Sequence, residues 1–224
     1  MPRPMSDRQP LGIFGGTFDP VHFGHLRLAE EACGQLGLAE VLWIPAGQPS
    51  HRGTPRCTGQ HRLEMVRRAI AGNAAFRLDE AEALSAAPSY SVPTLERLRA
   101  EHGGVGAQRP LVLLLGVDAF LGLASWHRWQ ELFDLAHIAV ATRPGSLLDE
   151  ARMPQPLAAE FAQRRCASAL DLNGAAAGRI LPFAITALDI SATRLRSNLV
   201  AGHSVRYLLP DPVLDYISCN RLYS

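Results

Sequence analysis

The sequence contains no lysine, and all 22 of its basic residues are arginine. This absence excludes Schiff-base chemistry, a lysine general base and the lysine of a Walker A loop. A phosphate group held by a cationic side chain must therefore be held by arginine or histidine. With 22 basic and 21 acidic residues, the formal net charge is +1. That balance argues against the broad basic surface by which proteins bind nucleic acid.

Cysteines and long apolar runs are also scarce. The four cysteines, at positions 33, 57, 166 and 219, form no CxxC pair and no zinc-type spacing, so we expect idle reduced thiols. The longest apolar run, residues 111–115, is far shorter than the roughly 20 residues of a membrane span. Residues 1–10 lead into no apolar signal-peptide core. We therefore expect a soluble cytoplasmic protein with no membrane partner.

Short apolar runs alternate with helical patterns along the 224 residues. The predicted strands cover residues 11–15, 41–45, 76–79, 111–116, 138–142 and 180–185. The predicted helices cover residues 24–36, 60–71, 92–102, 129–135 and 157–170, with a helical C-terminal part over 190–224. Alternation of this kind predicts an α/β fold with a Rossmann-like, doubly wound parallel sheet, helices on both faces and a small C-terminal helical cap. We expect the strand order 3-2-1-4-5, and a ligand at the carboxyl ends of the strands.

The length favours one domain, predicted over 11–224, after a flexible N-terminal extension of residues 1–10. Its most informative segment follows the first strand, where residues 15–25 read GGTFDPVHFGH. Gly15 and Gly16 permit close approach of a ligand to the backbone, Thr17 offers a hydroxyl, and the start of the next helix suits an anion. The spacing is neither GxGxxG nor a P-loop.

Two histidines, His22 and His25, are three residues apart at the start of that helix, so both rings can face the anion. Three interpretations compete. Isolated histidines usually pack or cap, and zinc ligands would need a third partner that no HExxH motif or nearby cysteine supplies. Phosphate donors agree with the glycines and the helix dipole together, and we favour this third interpretation.

The segment ending in His-Phe-Gly-His resembles the HxGH signature of the nucleotidyltransferase superfamily. A second segment, residues 190–196 with the sequence ISATRLR, resembles the superfamily's ISSTxxR element, with Ala192 in place of a serine. By itself it reads equally well as a helix N-cap followed by solvated arginines. The order of further landmarks is similar to that of bacterial nicotinate-mononucleotide adenylyltransferases: Pro49–Arg52, Pro88–Ser91, Gly116–Asp118, Trp126, Arg143–Gly145 and Leu208–Ile217.

The resemblance implies transfer of the adenylyl group of ATP to nicotinate mononucleotide, which gives nicotinate adenine dinucleotide and pyrophosphate. The residues implied as catalytic are His22, His25 and Arg196. Those implied to bind ATP are Gly15, Gly16, Thr17, Asp118, Ser191 and Thr193. Those implied to bind nicotinate mononucleotide are His51, Arg52, Ser89, Tyr90, Ser91, Trp126 and Arg143. Mg²⁺ is expected as the cofactor, held through phosphates and not by a protein ligand.

Alternatives to this reaction remain open at the level of sequence. One alternative is another adenylyltransferase of the same fold, with nicotinamide mononucleotide or phosphopantetheine as its acceptor. A nucleotide-binding module without turnover is a more distant alternative. Its mark would be the loss of a signature histidine or arginine, and His22, His25 and Arg196 are all present. The expected partners are the two nucleotide substrates and no nucleic acid, and a homo-oligomer is left open.

Overall fold

A computed structural model describes residues 9–49, 53–102, 109–142 and 148–223 of the chain. The strands in this part are β1 (Leu11–Gly16), β2 (Glu40–Pro45), β3 (Gln48–Pro49), β4 (Phe76–Leu78), β5 (Pro88–Ser89), β6 (Leu111–Gly116), β7 (His137–Thr142) and β8 (Ile180–Ala184). The α-helices are α1 (Phe23–Gln35), α2 (Gly59–Ile70), α3 (Ser91–His102), α4 (Val117–Leu121), α5 (Leu132–Leu135), α6 (Gln155–Arg164), α7 (Ala192–Val200) and α8 (Asp211–Cys219). Short 3₁₀ turns span Leu123–Ser125, Trp129–Glu131, Glu150–Arg152 and Ala169–Asn173.

A six-stranded parallel sheet in the order β4-β2-β1-β6-β7-β8 forms the centre of the molecule. Counted along the chain, these strands follow the predicted order 3-2-1-4-5 with a sixth strand added beside β7. Each predicted strand is present, with its ends within one residue of the prediction. The separate pair β3–β5 was not predicted, because two-residue strands carry no periodicity.

Both faces of the sheet are buried, which explains why its strands read as nearly continuous apolar runs. In β6, Val112 and Leu114 face one apolar cluster, while Leu111, Leu113 and Leu115 face the other. Side chains of α1, α2, α7 and α8 complete the first cluster, and side chains of α3, α4, α5 and α6 complete the second. The fold is therefore the predicted doubly wound α/β sheet.

The two C-terminal helices belong to the layer of α1 and α2. Leu195 of α7 and Val213 and Ile217 of α8 are almost fully buried in the first cluster. The predicted helical cap is thus packed directly on the sheet face. Across the described ranges, no helix has the length and apolar character to cross a membrane.

One predicted helix, over residues 157–170, is longer than the observed one. Helix α6 ends at Arg164, and the chain then runs beside β8, where the Cys166 N–H donates to the Ile180 carbonyl at 2.9 Å. A 3₁₀ turn capped by Ser168 follows. Pairing with the edge of the sheet ends the helix, and the local apolar pattern does not reveal that pairing. Of the predicted extension over 1–10, only residues 9 and 10 are described.

Candidate active site

A cleft of about 1110 Å³ opens at the carboxyl ends of β1 and β6. Strand β1 lies between β2 and β6. From β1 the strand order runs outward in two opposite directions, through β2 to β4 on one side and through β6 to β8 on the other. Parallel α/β sheets bind ligands where the strand order reverses in this way. The cleft therefore occupies the place that the topology favours for a ligand.

Most of the predicted site residues line this cleft. They are Gly15, Gly16, Thr17, His25, Ser89, Tyr90, Ser91, Asp118, Trp126, Ser191, Thr193 and Arg196. His22 does not line it and is only 6% exposed. The predicted residues His51, Arg52 and Arg143 lie outside the described residues. Segments from both ends of the sequence thus meet at one place.

Three glycines shape the floor of the cleft. A Cβ atom at Gly15 or at Gly116 would meet no atom within 4 Å, so these strand ends leave space for a ligand beside the backbone. Gly24 is different, because a Cβ atom there would come within 3.0 Å of His22 Nδ1. A side chain at position 24, between the two histidines, would therefore crowd the His22 ring.

The two histidine rings stack on each other, with centroids 3.7 Å apart and an interplanar angle of 27°. The backbone N–H of His22 donates to Nδ1 of His25 at 3.3 Å. An accepting Nδ1 places the proton of a neutral His25 ring on Nε2, which is then a hydrogen-bond donor. His25 also packs edge-on against Phe18 at 5.1 Å, which fixes the plane of its ring at the cleft wall.

Burial lowers the pKa of His22 to about 4, so its ring is neutral at pH 7. Its Nδ1 atom is buried and has no hydrogen-bond partner among the described residues. Burial also lowers the pKa of His137, whose Nε2 donates to the Ala175 carbonyl and whose Nδ1 accepts from the Arg179 N–H. The folded state therefore favours the neutral form of both histidines.

These two histidines predict a loss of stability in mild acid. The unfolded chain binds more protons than the folded one below the unfolded pKa of about 6.5, so the stabilisation is complete above that pH and is lost as the pH falls. Between pH 7.0 and 5.5 we expect His22 alone to lower the free energy of unfolding by about 1 kcal/mol. Urea unfolding at both pH values measures the change, and His137→Gln should reduce it. His203→Gln, at an exposed position, is the control, and an equal reduction by both variants would contradict the assignment.

The second motif caps helix α7 at the edge of the cleft. The Ser191 hydroxyl accepts from the Arg194 N–H at 3.2 Å, which makes Ser191 the N-cap as well as a cleft residue. Arg196 donates from Nη2 to the Thr193 hydroxyl at 3.2 Å and from Nη1 to the main-chain oxygen of Asp19 at 2.7 Å. Its guanidinium is thereby held between α7 and the loop after β1.

A buried arginine of α2, Arg62, holds the loops around the cleft together. It is fully buried and donates to four carbonyl groups. These belong to Thr17 (2.8 Å), Gly47 (2.7 Å), Cys57 (3.2 Å) and Ala46. Burial lowers its pKa, while the nearby Asp19 carboxylate raises it. The loop after β1 is thus fastened to the loop after β2 by one side chain.

Aromatic rings lie on the other side of the cleft. Trp126 lines it and also packs against the second apolar cluster. Tyr90 contacts the ring of His127 with centroids 4.7 Å apart. Trp129 packs edge-on against Phe133, a residue of the second apolar cluster. The aromatic side of the cleft therefore rests on the apolar core, and Trp126 contributes an indole ring to it.

A polar network fixes the β3–β5 pair beneath that wall. The Ser89 hydroxyl accepts from the Gly47 N–H at 2.9 Å and donates to the Glu82 carboxylate. The Thr94 hydroxyl also donates to Glu82, and burial raises the pKa of this carboxyl group. The hydroxyl proton of Ser89 is therefore engaged within the protein, which leaves Ser91 as the serine of this segment to consider as a ligand donor.

Asp118 lies in the first turn of α4, and Gly116 is the N-cap of that helix. Asp118 is therefore a first-turn residue of α4 and not its N-cap. Its carboxylate is exposed at the cleft and makes no hydrogen bond or ion pair within the described part of the chain. An exposed acceptor at the end of a central strand suits a ribose hydroxyl group.

Sequence reasoning missed several residues of the cleft and its supports. Asp19 and Arg56 line the cleft, as does Glu82. Asp19 could have been predicted as a site residue, because it belongs to the glycine-rich segment of residues 15–25. Arg62 was also indicated by the sequence, because this basic residue lies on the same buried side of α2 as Met65 and Val66. Arg56 and Glu82 lie in segments with no periodicity to mark them.

Comparisons with known proteins agree with this architecture. Residues 13–198 match the cytidylyltransferase-like family. A protein of Dechloromonas aromatica named "Probable nicotinate-nucleotide adenylyltransferase" is 58% identical over 96% of this chain and 98% of its own length. A protein of Halorhodospira halophila with the same name is 49% identical, over 92% and 93% of the two chains.

A solved structure shares the fold at lower identity. The Plasmodium falciparum nicotinic acid mononucleotide adenylyltransferase complexed with NaAD superposes with a TM-score of 0.71 and 17% identity, covering 96% of this chain and 97% of that one. The family match and the nearly full-length relatives place the sequence in a defined group. The chain belongs to the cytidylyltransferase-like family and, within it, to the nicotinate-nucleotide adenylyltransferases.

Proposed function

We propose that this chain transfers the adenylyl group of ATP to nicotinate mononucleotide. A phosphate oxygen of the mononucleotide forms a bond to the α-phosphorus of ATP, and the bond from that phosphorus to the bridging oxygen breaks. Pyrophosphate leaves with the electron pair, and nicotinate adenine dinucleotide is the other product. The observation that carries the proposal is the convergence of His25 and Arg196 on one cleft at the switch point of the sheet.

The chemistry requires no general base. The attacking group is a phosphate monoester whose second pKa is about 6, so it is mostly dianionic at pH 7. What the site must supply is the positioning of two anions and stabilisation of charge on the leaving pyrophosphate. A neutral His22 agrees with a reaction that needs no general base, because burial lowers its pKa and its ring takes no part in acid–base chemistry near pH 7.

The residues of the cleft divide between the two ends of the triphosphate. In this proposal the backbone around Gly15, Gly16 and Thr17, together with His25, binds the α-phosphate. Ser191, Thr193 and Arg196 bind the β- and γ-phosphates, and all of these residues line the cleft. His22 supports the ring of His25 from below, and in our proposal it acts by orienting its neighbour. Asp118 is the proposed acceptor for a ribose hydroxyl.

Mg²⁺ is the proposed cofactor, and it enters as the complex with ATP. Among the described residues, no group of three or more His, Cys, Asp or Glu side chains is arranged to hold a metal ion. A donor set of phosphate oxygens and water suits Mg²⁺, which often retains several waters. When bound there, the ion neutralises phosphate charge, and this chain's own contribution is the arginine and backbone donors.

Trp126 is the proposed partner of the pyridine ring, which needs a flat apolar surface. We expect Trp126→Ala to raise KM for nicotinate mononucleotide about tenfold, because loss of stacking removes about 1–2 kcal/mol. The KM for ATP should change less than about twofold. Initial-rate measurements with each substrate varied provide the test. Trp129→Phe is the control, because it changes an aromatic residue beside the site. A larger rise in KM for nicotinate mononucleotide in Trp129→Phe than in Trp126→Ala would contradict the assignment.

The substrate is tested directly by measuring pyrophosphate release with Mg-ATP and three separate acceptors. We expect strong release with nicotinate mononucleotide and much weaker release with nicotinamide mononucleotide or phosphopantetheine. Preference for either of the other acceptors would retain the reaction and overturn the proposed pyridine pocket. No release with any acceptor, from protein that binds ATP, would favour the non-catalytic alternative.

A further inference from the structure

The carboxylate of Asp19 connects separate segments at the Arg196 end of the cleft. Asp19 is only 4% exposed. Its Oδ2 atom accepts from the Arg56 N–H at 2.7 Å, and its Oδ1 atom accepts from the Tyr223 hydroxyl at 2.6 Å. Its main-chain oxygen accepts from Nη1 of Arg196 at 2.7 Å. One residue of the β1–α1 loop thus contacts the loop before α2, helix α7 and the segment after α8.

Tyr223 reaches Asp19 because the chain turns back after α8. Arg221 and Tyr223 have φ values of 50° and 62°, in the left-handed region that such reversals use. The Leu222 N–H donates to the Ile217 carbonyl at 3.0 Å, which fixes the turn to the helix. Burial, followed by the bond to Asp19, raises the pKa of Tyr223 far above its usual range. The hydroxyl therefore remains protonated and continues to donate.

Two arginines border the cleft beside this carboxylate. Arg56 and Arg196 both line the main cleft and an adjoining groove, which Tyr223, Thr193, Ser197 and Val200 also line. The Arg56 side chain is exposed and forms no ion pair with any other described residue. A chain without lysine has only arginine and histidine for phosphate charge, and two guanidinium groups here suit an anion with two phosphates.

We propose that Asp19, locked by Tyr223, is the positioning residue that holds Arg196 and Arg56 on the leaving pyrophosphate. Arg56 is then a second cation for that group, in addition to Arg196. The proposal rests on the proposed function in taking the pyrophosphate end to be the Arg196 end. Loss of the Tyr223 hydroxyl removes the hydrogen bond to Oδ1 of Asp19, so the segment that contacts Arg196 and Arg56 is held less firmly.

A double-mutant cycle on the binding of Mg-pyrophosphate tests the positioning role. Calorimetry gives the dissociation constant without any turnover. We expect Tyr223→Phe to weaken binding about tenfold, as the loss of a hydrogen bond to a charged group does. In an Arg196→Ala background, the same change should weaken it about threefold or less, because the hydroxyl acts largely through that arginine. A tenfold effect in both backgrounds, or none in either, would overturn the proposal.

Matched controls separate positioning from folding. Tyr207→Phe makes the same chemical change at a tyrosine that is 82% exposed, and it should leave pyrophosphate binding unchanged. Arg56→Gln should weaken binding about tenfold, whereas Arg206→Gln, with the same loss of charge outside both cavities, should change it less than about twofold. If Tyr223→Phe does not fold, the comparison of Arg56 with Arg206 decides, and equal effects of those two variants overturn the proposal.

The same proteins distinguish this proposal from the proposed function. A chain that binds Mg-pyrophosphate with the expected coupling but releases none from ATP and nicotinate mononucleotide would contradict the substrate alone. An enzyme active with nicotinate mononucleotide, whose Tyr223→Phe and Arg56→Gln variants bind pyrophosphate like the unchanged chain, would contradict the positioning role alone. The KM for nicotinate mononucleotide should stay constant in both variants.

Discussion

Replacing His25 by alanine is expected to lower kcat by about 10²–10³, the range found when one preorganised donor to a developing charge is removed. His25 accepts the His22 N–H on Nδ1, so its Nε2 carries the proton and can donate in the cleft. A donor that matters most in the transition state lowers kcat without a matching change in ATP binding. We therefore expect the dissociation constant of ATP to change less than about threefold.

The measurements are steady-state pyrophosphate release and equilibrium binding of ATP. His25→Gln retains an N–H donor at a similar distance from the backbone and should recover part of the lost rate. His203→Ala, at an exposed position, is the control for loss of an imidazole. Unchanged kcat in His25→Ala would mean that the α-phosphate is bound by other groups, and it would overturn the phosphate role of the HxGH segment.

Replacing Arg62 by methionine is expected to lower the free energy of unfolding by about 3–4 kcal/mol. Four buried or partly buried carbonyl groups lose their donor, and each acceptor left unpaired costs about 1 kcal/mol. For a chain of this size, the melting temperature should fall by about 10 °C. Activity should fall as well, because the loops that carry Thr17 and Gly47 lose their common anchor.

Thermal and urea unfolding of the variant measure the change. Arg62→Lys should recover little of the stability, since one ammonium group cannot reach four carbonyls spread over separate loops. Arg67→Met is the matched control, because it removes an exposed arginine from the same helix, where its ion pairs with Glu64 and Glu80 contribute little. Similar losses in Arg62→Met and Arg67→Met would contradict the anchoring role.

The sequence predicted the sheet well because parallel strands covered on both faces leave strong local signals. The apolar runs at β1, β2, β6, β7 and β8 are each bounded by turn residues or polar residues. Features set by distant pairing were not predicted. The end of α6 depends on the bond from Cys166 to Ile180, and the β3–β5 ladder depends on two short segments about forty residues apart.

The site was predictable to the extent that its residues belong to contiguous motifs. The segments around His25 and Arg196 are recognisable from their residue order alone, and the structure brings both to one cleft. Asp19 and Arg62 act through carbonyl groups and buried contacts that depend on how loops are folded against each other. The burial of His22 beneath its neighbour likewise follows from packing against Gly24, which spacing alone does not express.

The strand order also has a consequence for synthesis of the chain. Strand β1 is made first but lies at the centre of the sheet, and its second neighbour, β6, begins only at Leu111. At translation rates of about 5–20 residues per second, β1 waits on the order of 5–20 s for that neighbour. During this interval the side of β1 that will pair with β6 is an unpaired apolar edge, open to another nascent chain. The central strand of the sheet therefore keeps an open pairing edge until the second half of the sheet has been synthesised.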